Sequence, residues 1–141
     1  MKHSLLVSLA FLLLTPLCSR AQQPIPTPTN SDSKVQQALV QAAKNINQSL
    51  PMALDNSTRL DSVFPGPGRK MTYFVTILKP LSPEISKKEF VRRMTSSSVA
   101  AYCSDPQFQP FREDGIAIVK KYSLPSGVFF TQIETSASDC K

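Results

Sequence analysis

The feature that most constrains the fold lies at the N-terminus. Lys2 and His3 precede an apolar run from Leu5 to Leu17, and Ser19-Arg20-Ala21 follows with small residues at −3 and −1. That is the layout of a secretory signal peptide, with cleavage expected before Gln22. The run is too short to span a bilayer, which takes about 20 apolar residues in a helix. A buried N-terminal helix is the other reading, but the run lacks the period of a surface-packed element. Cys18 admits lipidation, although Leu17 stands where bacterial lipidation favours a small residue. What folds is then about 120 residues long, enough for one core, and folds in an oxidising compartment.

Export changes the meaning of the cysteines. Cys18 leaves with residues 1–21, and Cys103 and Cys140 remain as an even pair. They are expected to form a disulfide, with two free thiols as the alternative. Export also removes Lys2 and Arg20. The Lys+Arg count falls from 16 to 14 against 10 acids, so a formal charge of +6 becomes +4. A charge of that size aids solubility and biases encounters toward anionic surfaces.

Residues 22–31, "QQPIPTPTNS", read as a proline-rich linker, and residues 32–141 as a single α+β domain. A first helix is expected from Asp32 to Leu50, with Val35, Leu39, Ala42, Ile46 and Leu50 on one face, a Ser33/Gln36 capping pattern, and Pro51 as its stop. Two strands, Arg59–Phe64 and Lys70–Leu78, flank "PGPG" and predict a hairpin. The second helix is the best marked. Ser86 and Glu89 form a capping box, and Ile85 with Phe90 a hydrophobic staple. Asp105-Pro106 then predicts a cap followed by proline at the first position of a short helical turn. Strands at Ile116–Ser123 and Val128–Thr135 close the chain. The order α-β-β-α-β-β predicts an antiparallel sheet of about four strands with two helices on one face.

The only histidine, His3, departs with the leader. The remaining chain therefore has no imidazole for Ser-His-Asp or Cys-His catalysis, nor for histidine-ligated metals. It has no glycine-rich phosphate loop, and the acids lack EF-hand spacing. No cofactor or metal is expected.

Two sets of charged residues are candidate binding surfaces. On a continuous strand Asp55, Ser57, Arg59 and Asp61 would share a face, with Arg59 between two aspartates. Such an arrangement suits ion pairing or a binding surface better than a raised-pKa acid. Lys87, Lys88, Arg92 and Arg93 form a basic rim on the second helix, either a solvated face or a patch for an anionic surface. Phe129-Phe130 and Phe74 suggest a second aromatic layer, against the first helix or exposed to a partner. Asn47-Gln-Ser49 and Asn56-Ser-Thr58 match glycosylation acceptors, relevant only to a eukaryotic source.

From Leu50 to Cys140, on "LPMALDNSTRLDS", "PGPGRKMTYFVTIL" and "YCSDPQFQPFREDG", the chain resembles small exported proteins of Gram-negative bacteria to which no activity is attached. The resemblance implies a periplasmic or secreted home, argues against glycosylation and carries over no catalytic residue. The expectation is a non-enzymatic binding module for another protein of the cell envelope, acting as an inhibitor, an immunity factor or an assembly accessory. The alternative is a binder of anionic lipid or glycan through the basic helix face. Nucleic acid is not expected as a partner, nor is a transmembrane segment after leader removal.

Overall fold

A computed structural model describes residues 30–79, 81–82 and 84–141. The leader (1–21) and residues 22–29 of the linker lie outside the described residues. In chain order the elements are α1 (Asn30–Asn47), β1 (Met52–Ala53), β2 (Thr58–Gly66), β3 (Lys70–Ile77), α2 (Lys87–Ser104), a 3-10 turn (Pro106–Phe108), α3 (Gln109–Glu113), β4 (Ala117–Ser123), β5 (Phe129–Thr135) and a final 3-10 turn (Ala137–Asp139). The α+β class and the order of the main elements agree with the sequence reading.

The sheet departs from that reading in two respects. It has five strands in the order β1-β2-β3-β4-β5, and β3 pairs with β4 in parallel, Lys70 opposite Ala117 through Thr76 opposite Ser123. The other pairings are antiparallel. The sheet is thus mixed, not antiparallel throughout. The cause is α2: a helical crossover returns the chain to the end of the sheet where β3 began, and that forces the next strand to run the same way. β1 escaped notice because it is only two residues long, pairing Met52 with Leu60 and Ala53 with Arg59.

Period-two alternation sorts the strands. Leu60, Val63, Met71, Val75, Ile77, Ile118, Tyr122 and Ile133 are buried on one face. A register shift between Leu60 and Ser62 keeps Leu60 and Val63 on that face despite their odd spacing. α1 packs over β2 and α2 over β5, contributing Leu39, Ala43, Phe90 and Tyr102 to the same core. The Tyr102 hydroxyl donates to the Ile116 carbonyl at 2.7 Å, which satisfies a polar atom that burial would otherwise penalise.

Local chemistry fixes the joints. Ser86 accepts from the Glu89 amide at 3.1 Å, and Asp105 accepts from the Gln107 amide at 2.9 Å, with Pro106 opening the turn. Both caps fall where the sequence placed them. The Arg112 guanidinium donates to the Tyr102 and Asp105 carbonyls, closing the C-terminus of α2. The β2–β3 link is tighter than "PGPG" suggested, because Pro65 and Gly66 belong to β2, opposite Met71 and Lys70. Arg69 adopts φ 57° there, a region unfavourable to side chains. Its guanidinium is anchored on Asp32 at 2.7 Å and on the Asp114 carbonyl at 2.8 Å.

Asn47 has a structural task. Its amide donates to the Val63 carbonyl at 2.7 Å and accepts from the Val63 amide at 2.8 Å. One side chain thereby pairs both backbone groups of a β2 residue beyond the reach of β1. A glycan on Asn47 would abolish this pairing. Cys103, near the end of α2, is bonded to Cys140 with Cα atoms 5.5 Å apart, as expected.

Candidate functional site

A groove of about 450 Å³ opens between the β1–β2 loop, the end of β3, the segment leading into α2, and α2 itself. Ile77, Leu81, Ile85, Phe90 and Met94 give it an apolar floor. Asp55, Asn56, Ser57, Thr58, Lys79, Ser82 and Arg93 supply polar edges. Phe90 is 7% exposed and stands edge-on to Tyr122 and Phe130, each with centroids 5.3 Å away. Those paired rings pack beneath the groove in the edge-to-face geometry that aromatic pairs favour. Burial pushes the Tyr122 phenol up to about 12, with the Asp55 carboxylate adding to the shift.

The Asp55 edge is an Asx turn. One carboxylate oxygen accepts from the amides of Ser57 and Thr58 at 2.6 and 2.8 Å, and the other from the Thr58 hydroxyl at 2.8 Å. These bonds, that of the Thr58 hydroxyl foremost, hold the carboxyl below the usual range. The Leu78 amide donates to the Ser57 carbonyl at 2.7 Å, tying the turn to the end of β3. A carboxylate held so firmly ionised serves as a turn and a rim better than as a proton donor.

The expected ladder of Asp55, Arg59 and Asp61 does not form. β2 begins only at Thr58, because Asp55 bonds its own downstream backbone instead of continuing a strand. Arg59 pairs with Asp61 alone at 2.6 Å. Asp61 also accepts from the Thr76 hydroxyl at 2.5 Å, on the sheet face opposite the helices. That face carries Phe64, 54% exposed, edge-on to Phe74 at 5.8 Å. Lys121 lies over the Phe74 ring at 5.6 Å. The aromatic layer is therefore not packed against α1.

The basic rim is partly neutralised. Glu89 takes Arg92 at 2.7 Å and Arg93 at 2.5 Å. Hydrogen bonds from Arg92 and then Arg93 pull its carboxyl down to about 2. Lys87 sits over the Phe130 ring at 5.3 Å. Of the seven charged candidates, only Asp55 and Arg93 line the groove. Arg59 and Asp61 lie behind the sheet, and Lys87, Lys88 and Arg92 lie on α2 away from the groove lining.

Sequence reasoning marked Ile85 and Phe90 only as a helix staple and missed Leu81, which sits in a connecting segment without period, so the floor they share was not foreseen. It also missed Lys120, which alternates with Ile118 and Tyr122 and so falls on the inward face. Lys120 donates to the Ser98 hydroxyl at 3.2 Å. Ser98 sits within α2, where backbone amides are spent on the helix, so α2 offers this pair no free amide of the kind acyl transfer uses. Among the described residues no group of three or more His, Cys, Asp or Glu could hold a metal, and no helix is long and apolar enough to cross a membrane.

No family model and no curated protein matches the chain. Its fold is similar to that of three solved structures. The pilotin EpsS of the Vibrio vulnificus type 2 secretion system has TM-score 0.65 at 13% identity, covering 79% of this chain and 96% of that one. The Vibrio cholerae type II secretion pilotin AspS has TM-score 0.62 at 10% identity, covering 78% and 95%. A Pseudomonas aeruginosa protein thought to be secreted has TM-score 0.67 at 11% identity, covering 82% and 100%. At these identities the likeness is one of fold.

Proposed function

We propose that this chain is a small, non-enzymatic accessory of the Gram-negative cell envelope that works by binding another protein, in the manner of a secretion-system pilotin. Its partner lies in the groove between the Asp55 turn and α2. The observation that carries the reading is the groove itself: an apolar floor of Ile77, Phe90 and Met94 inside a polar rim, the composition of a recognition site. The shared fold with two pilotins supports the role, and the leader reading of residues 1–21 supports the location. Catalysis fits poorly, since the groove's one carboxylate is locked in a turn. Pairing of Arg92 and Arg93 with Glu89 disfavours an anionic lipid or glycan as the ligand.

The test is affinity capture from an envelope fraction with wild type, Met94→Glu and Arg59→Glu as baits. A protein held by wild type and Arg59→Glu but lost by Met94→Glu is expected. Loss by Arg59→Glu alone would move the binding surface to the opposite face of the sheet.

A further inference from the structure

The inward face of β4 carries one cation. Lys120 stands between buried Ile118 and Tyr122, on a central strand, at a position where alternation calls for an apolar side chain. Its ammonium has three donors, and the described residues offer one neutral acceptor, the Ser98 hydroxyl, itself 6% exposed. No described carboxylate pairs with it. The described ion pairs occupy Asp32, Asp61, Glu89 and Glu134 elsewhere. Burial alone pushes the lysine's pKa down. Tyr73 lies directly opposite in the β3–β4 register and is half-buried like Lys120, whereas Met71, Val75, Ile118 and Tyr122 around them are buried. Both residues keep partial exposure, so solvent reaches this row beside α2.

The row adjoins the groove. Ser98 follows Met94 by four residues on α2, about one helical turn, so Lys120 stands one turn beyond the groove's lining. Partly desolvated donors with no anion are costly unless an acceptor arrives. We propose that Lys120 receives a carboxylate side chain of the protein partner. An Asp or Glu would pair with Lys120 beside Tyr73, about one helical turn from an apolar residue seated on Met94 and about two from one seated on Phe90. The inference rests on the groove reading and adds to it the chemistry of the partner: an apolar segment bearing one placed acid.

The experiment selects groove binders from a display library of random peptides, using protein expressed from the full sequence and purified after export. Each selected peptide is remade with its acid converted to the amide, and both forms are measured against wild type, Lys120→Met, Lys120→Arg and Met94→Glu. Expected are peptides with an acid at fixed spacing from apolar anchors. Conversion to the amide should weaken binding to wild type about tenfold or more, with no further loss on Lys120→Met and partial recovery on Lys120→Arg. Peptides lacking an acid, or equal losses on wild type and Lys120→Met, would overturn the proposal while leaving the groove standing. Peptides whose binding survives Met94→Glu would instead overturn the groove reading. Should Lys120→Met fail to fold, the 13Cε resonance of Lys120 in wild type decides: acidic peptides must shift it more than their amides do, and equal shifts count against the proposal.

Discussion

Removing the Cys103–Cys140 bond gives the sharpest test of how this small domain is stabilised. The bond closes a loop with a sequence separation of 37. On the chain-entropy model such a loop removes about 13 cal/mol/K from the unfolded ensemble, about 4 kcal/mol at 25 °C. Both cysteines are only half-buried against the core, so serine in their place adds little cavity cost. For a domain whose total stability falls in the usual range of about 5–15 kcal/mol, that is a large share. The assay is urea unfolding of the Cys103→Ser/Cys140→Ser double variant, with dithiothreitol-reduced wild type as a second route to the same state. Both should lose about 4 kcal/mol, and the denaturant slope should rise because the open unfolded chain exposes more surface. The thermal midpoint should drop by about 15 °C. A loss under about 1 kcal/mol would refute the entropic reasoning. Two alkylated thiols in the non-reduced, denatured protein would remove its premise.

Other consequences follow from single contacts. Tyr102→Phe deletes the buried bond to the Ile116 carbonyl and should cost about 1–2 kcal/mol in denaturant unfolding. Asn47→Ala leaves both backbone groups of Val63 unpaired by a side chain. It should cost about 1–3 kcal/mol and speed amide exchange at Val63. Glu89 should titrate near 2 in carboxyl-carbon NMR, because Arg92 and Arg93 hold it there. Its folded pKa lies below the ordinary 4.5, so its contribution to stability is present above that pH and disappears as pH falls through about 2. Arg92→Ala/Arg93→Ala should return the midpoint toward 4.5. Arg59→Ala removes a part-exposed ion pair and should change stability by no more than about 1 kcal/mol.

Features governed by neighbours in sequence were legible in advance. The Ser86 cap, the Asp105-Pro106 turn, the alternation of "KMTYFVTIL" and the two hairpins all depend on residues within a few positions of one another. The parallel β3–β4 pairing was open to inference, since a helix between two strands of one sheet acts as a crossover, but counting hairpins concealed it. Asp55 misled because strand alternation and an Asx turn compete for the same backbone, and the three bonds to Asp55 win over two residues of continued ladder. The groove was the least legible feature, because the Asp55 turn, Ile77, Leu81 and Met94 meet only after the sheet has formed. Lys120 did leave a trace, a charge in an inward register between Ile118 and Tyr122, with a second lysine, Lys121, next to it in the chain.

The proposed function places a protein partner between the Asp55 turn and α2. Photo-crosslinking in the intact envelope addresses it directly, with benzoylphenylalanine placed at Leu81 on the groove or at Phe64 on the opposite sheet face. A discrete protein adduct from position 81 and none from position 64 is the predicted result. An adduct from position 64 with position 81 silent would contradict the account.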